Sequence, residues 1–173
     1  TTLIDMLHAL KTTKLDSGND YFQPSNLEVT SVDTGNDAVN VIPASASAKF
    51  NIRFNDTYTG ESVVQWVRNI CDSIATNYTL QHRVTGESFI TPPGALSDML
   101  VESVREVTGK TPELSTTGGT SDARFIKNYC PVIEFGGTGR TSHMVDENIH
   151  VRDIENLTRI YTAFIQRFFA AHR

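Results

Sequence analysis

Two stretches of this 173-residue chain combine residue types that can do chemistry. The first, residues 115–125, reads STTGGTSDARF. Gly118 and Gly119 allow positive φ and a close backbone approach to a ligand, and Thr120, Ser121 and Asp122 are residue types that cap helices. A glycine turn opening into a helix start offers free N–H groups and the positive end of the helix dipole. Arg124 falls in the first turn of that helix, where it adds a forked pair of donors suited to a carboxylate. The pattern predicts a carboxylate pocket, although a capped helix with a surface arginine satisfies the same spacing.

The second stretch is GGTGRTSHMVDENIH, with His143 in a loop that follows a short apolar run. A loop imidazole among small polar residues can offer a neutral nitrogen to zinc or act as an acid-base group, and an ordinary hydrogen-bonded histidine fits as well. His8 and His150 read as structural, and Asp146 and Glu147 as acids leading into a helix start. A catalytic zinc typically needs three protein ligands, and a two-metal site about five. No HxxxH or HxD pattern occurs here, so the chain is not a complete metalloenzyme. The lysine of a phosphate-binding GxxxxGK[ST] loop is missing, as is a GxSxG elbow. Asn40 and Arg53, at the start and on the polar face of one strand, can reach toward a ligand or simply face water.

The elements that must hold these residues follow from periodicity. Leu3, Ile4, Leu7 and Leu10 lie on one face of an opening helix. The sequence lacks an initiator Met and is helical from its first residues, which predicts a truncated or proteolysed chain. Residues 27–33 favour a strand, DTGND reads as a tight hairpin turn, and a partner strand is predicted over 39–54. In that partner Ala46, Ala48, Phe50, Ile52 and Phe54 share the buried face. Val63, Val67, Ile70, Cys71 and Ile74 mark a helix over 59–77, and YTLQHRV alternates as a third strand. Residues 1–90 therefore predict a two-layer α+β lobe.

Pro92 and Pro93 mark the expected boundary. From 91 to 173 the pattern is that of an α/β unit. A helix stops at Gly109, a strand covers 112–116, a helix runs through Asn128, PVIEFG forms a strand and a long helix closes the chain. This unit resembles the end of a larger layered sheet.

Composition sets wider bounds. Hydrophobic residues at 39% and charged residues at 20% describe a globular protein. A net charge of -5 without a basic stripe argues against nucleic acid. The apolar runs are far shorter than the roughly 20 residues that span a bilayer, and no signal-peptide pattern is present, which predicts a cytoplasmic protein without membrane partners. Cys71 and Cys130 read as buried free thiols.

The segments NVIPASASAKFNIRF, ELSTTGGTSDARFI and SHMVDENIHVRDIENLTRIY resemble the dizinc aminoacylase and carboxypeptidase superfamily, and within it the succinyl-diaminopimelate desuccinylase family. The resemblance implies that residues 1–90 are most of a lid and dimerisation domain. Residues 91–173 would be the C-terminal part of a zinc-binding catalytic domain whose N-terminal half, with most metal ligands and the glutamate base, is not in this sequence. It implies that His143 is a metal ligand, for zinc or cobalt at two ions per full-length subunit. It assigns Gly119, Thr120, Arg124, Asn40 and Arg53 to substrate binding, with Asn40 crossing to the neighbouring subunit of a homodimer. The implied reaction is metal-assisted amide hydrolysis by a bridging water, releasing succinate and LL-2,6-diaminopimelate in lysine biosynthesis. This chain alone would be inactive. The alternatives are a related deacylase, such as an acetylornithine deacetylase, or a non-catalytic dimerisation module. One departure from the resembled pattern is Gly139, a position at which members of that family often carry asparagine.

Overall fold

A computed structural model describes residues 2–117, 121–137 and 139–172. Two compact units form, one from the described residues up to Ile90 with Thr116 and Thr117, the other from Thr91 to Ser115 and from Ser121 onward.

The first unit contains α1 (Thr2–Thr12), β1 (Asn26–Asp33), β2 (Ser47–Arg53) and α2 (Gly60–Asp72). The strands pair antiparallel from Asn26↔Arg53 to Asp33↔Ser47. The register shifts between Val29 and Ser31, and the Thr30 hydroxyl there donates to the Lys49 carbonyl at 3.2 Å. Ala48, Phe50 and Ile52 turn inward, as the period-two pattern requires. Both helices lie against this sheet. Met6 and Leu10 of α1, Leu27 of β1, and Val67 and Cys71 of α2 form a core that Trp66, Tyr78 and Leu80 also cover. Lys11 fastens α1 to β1 through the Leu27 carbonyl at 2.7 Å and the Glu28 carboxylate at 2.8 Å.

Helix α2 starts at a reciprocal Thr59–Ser62 box, with the Glu87 carboxylate also accepting the Gly60 N–H. A fixed negative group thus sits on the positive end of the helix. The loop after α1 is gathered by Asp16, whose Oδ1 accepts the N–H groups of Gly18 at 2.7 Å and Ser25 at 3.1 Å. The Tyr58 hydroxyl donates to Leu15 of the same loop, and the Thr116 hydroxyl to Tyr21.

Two expectations for this lobe are corrected. The partner strand covers Ser47–Arg53 rather than 39–54, so residues 34–46 form a long connection instead of a tight hairpin. Pro43 cannot donate to a ladder, and Val39 and Ile42 are fully exposed there, with no apolar face to hold them in a strand. Residues 78–84 form no third strand. Tyr78 and Leu80 still cover the core, but inward side chains alone do not supply the backbone partner that a ladder needs.

The second unit contains α3 (Ala95–Thr108), a short α4 (Ala123–Ile126) and α5 (Val151–Ala171). Helix α3 ends at Gly109, which adopts φ +71° and donates its N–H to the Arg105 carbonyl. Leu100, Val104 and Ile160 make the core between α3 and α5, with Ile133, Phe135 and Phe164 packed on it. Arg167 of α5 reaches Glu102 at 3.6 Å and Glu106 at 2.5 Å on α3. No strand forms in this unit among the described residues, which corrects the strands expected at 112–116 and in PVIEFG and, with them, the α/β reading of 91–173. Ile133 and Phe135 pack on the core, yet neither segment has another strand beside it among the described residues, and strand formation depends on that partner. The helix expected through Asn128 stops at Ile126 and continues as turns. Cys71 is buried as expected, while Cys130 is exposed and corrects the reading of two buried thiols. No helix among the described residues is long and apolar enough to cross a membrane.

Candidate functional site

Arg124 occupies the second position of α4. Its helix begins at Asp122, which makes no side-chain cap, whereas the Ser121 hydroxyl accepts the Ala123 N–H at 3.0 Å. The guanidinium lies over the Phe125 ring, 4.6 Å from its centroid, and the buried Nε has no hydrogen-bond partner. Such a contact is a cation–π attraction that favours this placement of the guanidinium. Gly119 and Thr120, assigned to substrate with Arg124, lie outside the described residues.

His143 is exposed in the loop before α5 and adopts φ +64°. Asp146, three residues on, adopts φ +62°. Histidine and aspartate enter this region more often than most residues, at about 1–3 kcal/mol each. Hydrogen bonds close the loop around them. The Thr141 hydroxyl donates to the Asn148 carbonyl at 2.9 Å and accepts the Asn148 N–H at 3.0 Å. The Met144 N–H donates to the Thr141 carbonyl at 3.0 Å, and the Asn148 side chain to the Asp146 carbonyl at 2.8 Å. The His143 N–H points to the Glu147 carboxylate at 3.4 Å. At Gly139, φ is +60° and an added Cβ would stand 3.1 Å from the Ser142 hydroxyl. Glycine adopts that backbone region without strain.

Asn40 sits in a turn within the 34–46 connection, exposed, rather than at a strand start, so its backbone is not held by the sheet. Arg53 is the last residue of β2, on the exposed face as predicted and opposite Asn26. Arg124 and His143 belong to the second unit, and Asn40 and Arg53 to the first. A groove of about 320 Å³ in the second unit is lined by Leu100, Ile133, Glu134, Phe135, Tyr161 and Phe164, and includes none of the candidate residues.

A family model for Peptidase family M20/M25/M40 matches residues 4–167. The chain belongs to this family. Relatives in the M20/M25/M40 family include a succinyl-diaminopimelate desuccinylase of Rhodospirillum centenum, 51% identical over 168 residues, and one of Ehrlichia canis, 53% identical over 167 residues. A third, from Caulobacter vibrioides, is 49% identical over 173 residues. These alignments take in 96–98% of this chain and 44–45% of the relatives, so the chain spans less than half of their length.

The resemblance implies a two-zinc centre. Among the described residues no group of three or more His, Cys, Asp or Glu side chains could hold a metal ion. Glu147, four residues after His143, is turned to the His143 backbone. One imidazole falls short of the three ligands of a zinc site, so these residues do not by themselves fit the centre.

Proposed function

We propose that these residues form part of an enzyme that hydrolyses the succinyl amide of N-succinyl-LL-2,6-diaminopimelate. What supports the reading is the near-50% identity to desuccinylases along almost the whole chain, read together with an arginine held over the Phe125 ring. In this reading residues 1–90 are the larger part of a lid and dimerisation lobe, and residues 91–173 belong to the catalytic domain. Arg124 holds the succinyl carboxylate through paired N–H donors, assisted by Gly119 and Thr120. Arg53 approaches the substrate from the lid. His143 is one of the ligands of a zinc pair, the others coming from polypeptide matched by the rest of the relatives' length. This chain alone then holds zinc weakly and does not turn over substrate.

Asn40 reaches the active site of a second copy. The exposure of its neighbours Val39, Val41 and Ile42 favours a protein surface against that connection. A two-fold dimer through residues 1–90 is therefore expected by sedimentation, and a monomer at high micromolar concentration counts against it.

Substrate choice is tested in a polypeptide of the relatives' full length carrying this sequence. Succinyl-diaminopimelate should be hydrolysed faster than an acetylated amino acid, and Arg124→Ala should cost mainly the succinyl substrate. Faster acetyl turnover points instead to an acetylornithine deacetylase or similar deacylase.

A further inference from the structure

We infer that Thr141 is the positioning residue that holds the His143 imidazole in place, an assignment that rests on His143 being a functional group of the proposed site. A histidine at φ +64° and an aspartate at φ +62° put two uncommon backbone states within four residues of an exposed loop. Something must hold them. Thr141 is half-buried while its neighbours from Ser142 to Asn148 are exposed, and its hydroxyl both donates to and accepts from the Asn148 backbone. Its carbonyl also takes the Met144 N–H, so one residue closes the loop from Thr141 to Asn148 across His143. The other fastenings span less of the loop. Glu147 reaches the His143 N–H only at 3.4 Å, and the Asn148 amide bonds within the loop itself.

A hydroxyl is needed for both bonds, and a methyl in its place keeps the shape of the side chain but neither bond. Thr141→Val therefore tests the role and Thr141→Ser should restore it. In the 173-residue chain, Thr141→Val should speed amide exchange at Asn148 and Met144 about tenfold, the loss expected for a pair of hydrogen bonds, and should move the backbone resonances of His143. Exchange in α3 and α5 should stay unchanged, which separates loop release from unfolding. Thr141→Ser should return exchange and shifts to the parent values. Unchanged exchange at Asn148 with unmoved His143 resonances in Thr141→Val overturns the assignment, as does a serine variant that behaves like the valine one. Zinc added alone and followed at the His143 ring resonances reads the other premise. A weak response, reduced several-fold in Thr141→Val and recovered in Thr141→Ser, supports both. A zinc response at His143 that is the same in the parent and in Thr141→Val counts against the positioning, while the exchange data decide whether Thr141 holds the loop.

Discussion

Asp16→Asn is expected to destabilise the first unit by about 2–3 kcal/mol near neutral pH, with a loss that fades in acid. The substitution keeps the side-chain shape and the acceptor at Oδ1. It removes the charge that two backbone donors, Gly18 N–H at 2.7 Å and Ser25 N–H at 3.1 Å, are aimed at. A hydrogen bond to a charged acceptor contributes about 1.5–3 kcal/mol against about 0.5–1.5 for a neutral pair, so two bonds lose about 2 kcal/mol together. Asn55 adds to this. It is 2% exposed, and its Nδ2 and the Asp16 Oδ2 are both buried short of ideal hydrogen-bond geometry. The new amide would set a donor against that donor.

Burial alone pushes the Asp16 carboxyl up. The Ser25 hydroxyl, the Gly18 and Ser25 N–H groups and the Asn55 amide outweigh it, and the net shift is downward. A lowered folded pKa means that the stabilisation is complete above the unfolded value of about 3.9 and is lost as pH falls through the folded one. The parent's advantage over Asp16→Asn should therefore be full at about pH 6 and shrink below about pH 4. Trp66, the sole tryptophan, packs on the first core and reports urea unfolding of this unit by fluorescence. Midpoints that agree to within about 0.5 kcal/mol at pH 6, or an advantage that persists in strong acid, refute the reasoning. The loop also carries Tyr21, whose carbonyl takes the Thr116 hydroxyl, so release of the loop should free that bond as well.

The second unit should respond separately. Ile160→Ala, at a side chain 3% exposed between α3 and α5, should cost it about 2–5 kcal/mol, seen as faster amide exchange in both helices with the Trp66 transition unchanged. A thiol reagent should modify Cys130 at once and Cys71 only on unfolding, because Cys71 is buried and both burial and the adjacent Asp72 raise its pKa. Two thiols reacting together in the folded chain would contradict this burial. By calorimetry the 173-residue chain should bind zinc weakly or not at all, since one imidazole is too few ligands, and two tightly held zincs per chain would overturn the proposed division of the site.

Helices α1, α2, α3 and α5 were legible because an amphipathic stripe recurs every three to four residues and needs only its own backbone for hydrogen bonding. The stop at Gly109 was equally local, a glycine with φ +71° at a helix end. The strands expected at 78–84, 112–116 and 131–136 do not form, for the converse reason. Alternation tells which side chains face inward, as Leu80, Ile133 and Phe135 do, but says nothing about a neighbour to pair with. Around the candidate site, residue types drew attention to Arg124 and His143. The bonds from Thr141 to Asn148, seven residues apart, left no mark in any spacing.

The sequence by itself determined the family, the main helices and the chemistry each candidate side chain can perform, since these depend on residue identity and short-range periodicity. Only the tertiary structure decided that Asn40 lies in a connection outside the sheet, that Arg124 stacks on Phe125 and that a left-handed His143 is closed in by Thr141. Those outcomes depend on which backbone groups find partners and which side chains find a neighbour to pack on, and both are fixed when the chain folds.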